Sequence, residues 1–296
     1  MNTQYYRAAL ENLFAHVAFV QSRTPGMLVR DLGGALLVDS GLPSDTFNKV
    51  LWECDGSGLP CRLDPQQAGE PLQAAADWFA GKRPRDLLLV PGAELPPAKE
   101  RPFIVWAGAE DSGALNRQQT QFDRLGYSVG ERETGMALPL NLWTPPDTVP
   151  EWFRIFPVKT AAQLSACAEV IAANWSPPDE AVKTFYKKAN SLVLQAFSPM
   201  RLFVALAGDV PVGCGEVFLS ENGNIAGLHM ICTREPFRGR GVAGAMTAAL
   251  LQEGRAAGAS CAVLQASDAG KSVYARQGFV PCGLFTEYAP GDEILF

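Results

Sequence analysis

Apolar residues recur at helical spacing from about Tyr5 to Val20, so the chain is expected to open on an amphipathic helix. Two short apolar runs, Met27–Asp31 and Ala35–Val38, flank Gly33-Gly34 and predict a hairpin. A loop-rich stretch follows, then a helix near Pro71–Ala80. Leu87–Val90 and Phe103–Val105, bounded by Gly and Pro, read as buried strand pieces. Asn116–Leu125 has helical spacing and stops at Gly126, with strands expected on either side of Gly135.

The later pattern alternates more regularly. A strand at Phe153–Val158 precedes a helix from about Ala161, for which Thr160 is a suitable N-cap. A second helix is expected over Pro178–Asn190. Arg201–Ala207 and Val212–Leu219 are strands joined by the tight-turn pair Gly208-Asp209, and Ile225–Thr233 is a third strand after Asn222-Gly223. Gly241–Ala257 carries Ala, Met and Leu at core spacing, the mark of a buried helix. A strand at Ala262–Gln265, a short helix ending at Gly278 and a strand at Leu284–Tyr288 complete a mixed α/β fold built on a central sheet.

Between the two patterns lies Thr144-Pro-Pro-Asp-Thr-Val-Pro150, three prolines in seven residues, which reads as an extended linker. With 296 residues, two domains are expected, 1–147 and 148–296. A 47% hydrophobic content supplies ample core and excludes a wholly disordered or coiled-coil chain. No apolar run reaches the ~18–20 residues that span a bilayer, and polar residues interrupt the start where a secretory segment would be apolar. A cytoplasmic protein with no membrane partner is therefore expected. The net charge of −6 disfavours nucleic acid, whose phosphates require a basic footprint. Up to Asp147 there are 13 basic and 18 acidic residues, against 12 and 13 beyond it, so the acidity sits in the first half. Seven scattered cysteines without a CxxC pair, and two histidines, His16 and His229, argue against a disulfide framework and a metal site.

The richest chemistry lies in Thr233-Arg-Glu-Pro-Phe-Arg238-Gly-Arg-Gly241-Val-Ala243, where a strand passes through an Arg/Gly loop directly into the long helix. A helix start exposes about four unpaired N–H groups and a partial positive charge. Gly239 and Gly241 allow close approach of the backbone, and Arg238 and Arg240 add two cations, a combination suited to a diphosphate. A solvated basic turn is the plain structural alternative.

This segment resembles the GCN5-related N-acetyltransferase (GNAT) signature, Arg/Gln-x-x-Gly-x-Gly/Ala, with Arg238, Gly241 and Ala243 in its defined positions. A second match follows in Gln265-Ala-Ser267…Tyr274-Ala-Arg-Gln-Gly278-Phe279, where a Tyr precedes Gly-Phe by four residues. The likeness covers roughly 153–288; Pro236 stands two residues before the Arg, where relatives often have it three before. The resemblance implies acetyl-CoA or another acyl-CoA as co-substrate, with no metal. It implies that the amides of Gly239, Arg240, Gly241, Val242 and Ala243 cradle the pyrophosphate, and that Ile231, Cys232 and Thr233 pair with the pantetheine as a pseudo-strand. Ser267 and Tyr274 would border the same ligand. In this family the amine attacks the thioester directly, so Cys232 and Cys261 are expected to be buried small residues, not nucleophiles.

Two proton transfers remain. Tyr274, a phenol protonated at neutral pH, is the candidate acid for the departing thiolate, with packing beside Phe279 as its alternative. For the base, His229 is expected to share a strand face with Ile231 and Thr233, and Glu216 on the preceding strand is its rival. Water relaying the proton to bulk needs neither. Trp175, Phe185 and Tyr186 could line an acceptor cleft, though core packing is their simpler use. The first half ends Phe122-Asp-Arg-Leu-Gly126-Tyr127…Gly135-Met-Ala-Leu, which resembles the closing turn and strand of a second, degenerate GNAT-like domain. It lacks the Arg-x-x-Gly-x-Gly loop, and an unrelated α/β cap is the other reading.

Three functions fit these features. The first is an acetyl-CoA-dependent N-acetyltransferase acting on a small-molecule amine, as monomer or homodimer. The second is a noncatalytic acyl-CoA-binding sensor or interaction protein, since a scaffold alone does not determine activity. The third is a protein lysine acetyltransferase.

Overall fold

The computed structural model describes residues 3–52, 69–82 and 94–291. The elements follow one another as α1 (Thr3–Gln21), β1 (Leu28–Asp31), β2 (Ala35–Asp39), β3 (Lys49–Trp52), α2 (Glu70–Phe79), β4 (Ile104–Ala109), α3 (Ser112–Arg124) and β5 (Tyr127–Pro139). After the proline-rich segment come β6 (Arg154–Pro157), α4 (Ala161–Ala172), α5 (Glu180–Val193), β7 (Met200–Ala207), β8 (Val210–Leu219) and β9 (Ile225–Thr233). A 3-10 turn at Glu235–Phe237, α6 (Val242–Ala256), β10 (Cys261–Ala266), α7 (Lys271–Arg276) and β11 (Val280–Pro290) complete the chain.

Local signals account for most of these boundaries. Asp111 caps α3 by accepting from the Ala114 amide at 2.8 Å. Thr160 and Gln163 form a reciprocal capping box on α4. The strands differ from the sequence reading at several points. The strands foreseen on either side of Gly135 are one thirteen-residue strand, β5, because a glycine interrupts the apolar pattern but not the backbone ladder. Strand β3 went unforeseen in its four-residue run. The expected strand piece Leu87–Val90 lies outside the described residues.

Contacts divide the chain into two compact units, Val17–Thr134 with Cys282–Phe296, and Asn2–His16 with Gly135–Pro281. The proline-rich segment and the boundary expected at 147/148 lie inside the second unit. In the first unit the strand order is β1-β2-β3-β4-β11-β5. There β1, β2 and β3 are antiparallel and β3 runs parallel to β4. The second unit has the order β6-β7-β8-β9-β10-β5; its β7, β8 and β9 are antiparallel and β9 runs parallel to β10. The two units thus repeat one plan: an antiparallel meander, a helical crossover, and a parallel strand. Each also takes in a closing strand from the opposite half of the sequence, β11 in the first unit and the end of β5 in the second.

The first unit packs Leu37, Trp52, Trp78, Phe79 and Phe122 against Tyr288, whose ring stacks on Phe122 at 4.0 Å. Its fully buried Asp39 is held by Arg101 at 2.5 Å and by the Trp78 indole N–H at 2.8 Å, so the charge is paired rather than stranded. In the second unit, α6 buries Val242, Met246, Leu250 and Leu251 against β7, β8 and β9. No helix among the described residues is long and apolar enough to cross a membrane.

Candidate functional site

The site lies in the second unit, where β9 leaves its parallel neighbour β10. Parallel pairing with β10 holds only at Cys261↔Ile225, Ala262↔Ala226 and Val263↔Gly227, so beyond Gly227 the two strands diverge. On its other side β9 stays paired with β8, but between Cys214↔Cys232 and Glu216↔His229 the register shifts by one residue. Met230 and Ile231 there face the single residue Gly215, and Met230 has φ of 49°. The bulge corrects the expectation that His229 shares a face with Ile231 and Thr233. Ile231 lies beside Gly215 and the α6 side chains Met246 and Leu250, while His229 points to the opposite face. An inserted residue shifts a strand's alternation by one, so every side chain after it changes sides.

Past β9 the chain turns through Glu235–Phe237 into the Arg/Gly loop. Arg238 folds back: its Nε donates to the Thr233 carbonyl and its Nη2 to Asn174 Oδ1, both at 3.1 Å. Arg240 lays its guanidinium over the Trp152 ring at 4.2 Å, and the Trp152 indole N–H donates to the Arg240 carbonyl at 3.3 Å. Gly241 caps α6 at φ +88°, and the first helical bond runs from the Ala245 amide to its carbonyl. The N–H groups of Val242, Ala243 and Gly244 precede that bond and have no intrahelical acceptor. Gly239, Arg240 and Gly241 are exposed beside them, and Thr233 Oγ1 is buried without a hydrogen-bond partner. Open amides, two guanidiniums and an unpaired strand edge make a place that can take a phosphorylated, amide-bearing ligand.

Helix α7 borders this loop. Gln277 donates to the Gly244 carbonyl at 3.3 Å and accepts from the Trp143 indole at 3.0 Å, which ties α7 to the first turn of α6. Tyr274 is half-buried and meets Phe279 edge-on at 6.1 Å. Ser267, exposed at the end of β10, accepts from the Gly270 amide at 3.3 Å and so starts the turn that presents Tyr274.

On the face opposite α6, the candidate bases form a cluster. Glu216 and His229 are cross-strand partners. Glu216, 1% exposed, accepts from the Tyr186 hydroxyl at one oxygen, while its other lies 2.9 Å from His16 Nε2. The rings of His16 and His229 stack in parallel, and His229 Nε2 bonds Asn12 Oδ1 at 3.0 Å. Burial, then the neighbouring His16, pushes the His229 pKa well below the ordinary 6.5, so this ring is neutral. Burial first, then the Glu216 charge, keeps the Tyr186 phenol protonated.

Sequence reasoning thus named two members of this cluster and missed His16, Asn12 and Tyr186 as its partners. Phe185 is packed in the core, Tyr186 is committed to Glu216, and Trp175 is 41% exposed. Burial raises the Cys214 and Cys261 thiols, which keeps both protonated, whereas Cys232, expected to be buried like Cys261, is only half-buried. Among the described residues, no group of three or more His, Cys, Asp or Glu could hold a metal ion.

The site thus consists of a mixed sheet with a bulged, splayed strand that feeds an Arg/Gly loop at a helix start. Residues 175–288 match the family model described as an acetyltransferase (GNAT) domain. That match spans most of the C-terminal half of the chain. A GCN5-related N-acetyltransferase from Kribbella flavida is similar at a TM-score of 0.66 and 16% identity, over 95% of both chains. A tandem GNAT protein from the clavulanic acid biosynthesis pathway is similar at 0.55 and 14% identity, over 97% of this chain and 94% of that one. A GCN5-related N-acetyltransferase from Sphaerobacter thermophilus matches at 0.53 and 19%, over 88% and 83%. At these identities the likeness is one of fold, and it extends the GNAT plan over both halves. No curated protein matches the chain by sequence.

Proposed function

We propose that the protein is an N-acyltransferase that carries the acetyl group of acetyl-CoA to the amine of a small molecule in the cytoplasm. The observation that carries this reading is the joining of an unpaired edge on β9 to the open amides at the start of α6. In this reading Ile231, Cys232 and Thr233 offer backbone groups, and the buried Thr233 hydroxyl, to the pantetheine amides. The N–H groups of Gly239, Arg240, Gly241, Val242 and Ala243 receive the pyrophosphate, with Arg240 held near it by Trp152. Arg238 serves by fixing the loop to Thr233 and Asn174. Ser267 sets the turn that brings Tyr274 alongside. A backbone amide near the bulge polarises the thioester carbonyl, the amine attacks, and Tyr274 protonates the leaving thiolate. Glu216 and His229 belong to the layer that receives the ammonium proton.

Calorimetric titration of acetyl-CoA into the purified protein tests this. Saturable one-to-one binding, followed by amine-dependent thiol release, is the expected result. Binding without thiol release for any amine would replace the enzyme with a sensor, and no binding at millimolar ligand would refute the site.

A further inference from the structure

Three thiols of the second unit meet behind the end of β9. Gly213 and Gly215 both face α6: a Cβ on the first would stand 2.5 Å from Val242, and one on the second 2.9 Å from Met246. Strand alternation therefore turns Cys214 to the opposite face, under α4, where Cys167 lies buried. Cys232 is directly across from Cys214 on β9 and shares that face. The Cys214 thiol already reaches toward β9, donating to the Met230 carbonyl at 3.7 Å. The thiols of Cys167 and Cys232 flank it.

Directly opposed residues of an antiparallel pair have Cα atoms about 4.5–5.5 Å apart, within the span of about 4.4–6.8 Å that a disulfide bridges. The three thiols differ in access. Cys167 and Cys214 are buried, and Cys232 is half-buried. Burial, then the neighbouring thiols, holds Cys214 protonated, so an oxidant from solvent meets Cys232 first. Cys232 directly follows the Met230-Ile231 bulge. It also stands between Ile231 and Thr233, whose backbone groups the acyl-transfer reading gives to the pantetheine.

We propose that Cys214 and Cys232 are a redox-sensitive pair whose closure to a disulfide shuts the acyl-CoA edge. The disulfide stands by itself, while its effect on the ligand rests on the acyl-transfer reading. The oxidant is a low-molecular-weight disulfide, R–S–S–R. The Cys232 thiolate attacks one of its sulfurs, a Cys232–S–S–R bond forms and RS⁻ leaves. Cys214, losing its proton, then attacks the Cys232 sulfur and expels the second RS⁻. Two cysteine thiols are oxidised to one disulfide, the small disulfide is reduced to two thiols, and these carry off the two protons. A bond between directly opposed strands is constrained and readily reduced, which is the behaviour of a regulatory disulfide. It pins β9 to β8 beside the bulge and shifts the backbone groups of Ile231 and Thr233 out of line with the pantetheine.

In the test, the reduced protein is incubated with oxidised glutathione at about pH 8, remaining thiols are blocked, and the peptides are mapped by mass spectrometry. A Cys214–Cys232 crosslink is expected, with an acetyl-CoA Kd raised at least about tenfold by calorimetry and restored by dithiothreitol. Cys214→Ala should stop at the Cys232–glutathione adduct, and Cys167→Ala should leave the crosslink unchanged. The wild-type chain alone can overturn the pair: Cys232 unmodified, Cys232 carrying only glutathione, or Cys167 joined to Cys214 would each do so. A crosslinked protein that binds acetyl-CoA as the reduced one does would overturn the switch while leaving acyl transfer standing. If the reduced protein binds no acetyl-CoA, the acyl-transfer reading falls and the switch with it, whatever the crosslink shows.

Discussion

Pro150 Cγ stands 2.9 Å from where a Cβ on Gly241 would lie. The last proline of the segment expected to be a linker is thus packed against the cap of α6, and it reserves that position for glycine. At Gly239 the backbone is also left-handed, φ +71°, but no atom lies within 4 Å of an added Cβ. Gly239→Ala should cost only the left-handed strain, about 1–2 kcal/mol. Gly241→Ala should cost more and weaken acetyl-CoA binding, because Pro150 must also move. Denaturant midpoints and calorimetry on both variants check the order; equal effects would show that the Pro150 contact does not matter.

Arg238 should act on the cofactor through loop geometry. Its two hydrogen bonds, each worth about 0.5–1.5 kcal/mol, join Thr233 to Asn174. Arg238→Ala and Asn174→Ala are expected to weaken acetyl-CoA binding in a non-additive way, since they break one bond in common. Full additivity in a double-mutant cycle would place Arg238 directly on the phosphates.

Tyr274→Phe keeps the ring contact with Phe279 and removes only the hydroxyl. Turnover should fall about 10²-fold or more while acetyl-CoA affinity changes little. A wild-type rate in this variant would end the acid assignment.

Stability should fall on both the acid and the alkaline side. Unfolded His229 takes a proton near pH 6.5, and the folded ring resists it. Its full stability is present above that pH. As the pH falls below 6.5, up to about 1.4 kcal/mol is lost per unit until the native ring titrates. Glu133 has the reverse sign, its pKa pushed up to about 7 by burial and then by the Glu287 charge. Its stabilising effect is complete below 4.5 and is lost as the pH rises to about 7. Urea midpoints should therefore show His229→Gln less acid-sensitive than wild type, and Glu133→Gln more stable at pH 8 but not at pH 4.

Much of the second unit was legible because local rules governed it. The turns at Gly208-Asp209 and Asn222-Gly223 delimit β7, β8 and β9, and Thr160 caps α4 as its position suggested. The Arg/Gly loop stood out because positively curved backbone, guanidiniums and a helix start need particular residues in consecutive order. The bulge at Met230-Ile231 was not legible, since nothing in Leu-His-Met-Ile-Cys announces an extra residue; it exists only relative to β8. The exchange of closing strands was hidden for the same reason, as either half offers a plausible final strand for itself.

The sequence by itself determined most of the elements, the cofactor-type loop, the Tyr–Gly–Phe spacing and the resemblance they carry, all of which depend on neighbours within about one element of the chain. Only the tertiary structure decided that His16 reaches Glu216 across some two hundred positions, that Asn12 occupies His229, and that Pro150 guards Gly241. These are contacts between side chains on different elements. Their distances depend on how the elements pack, which no local pattern of residues encodes.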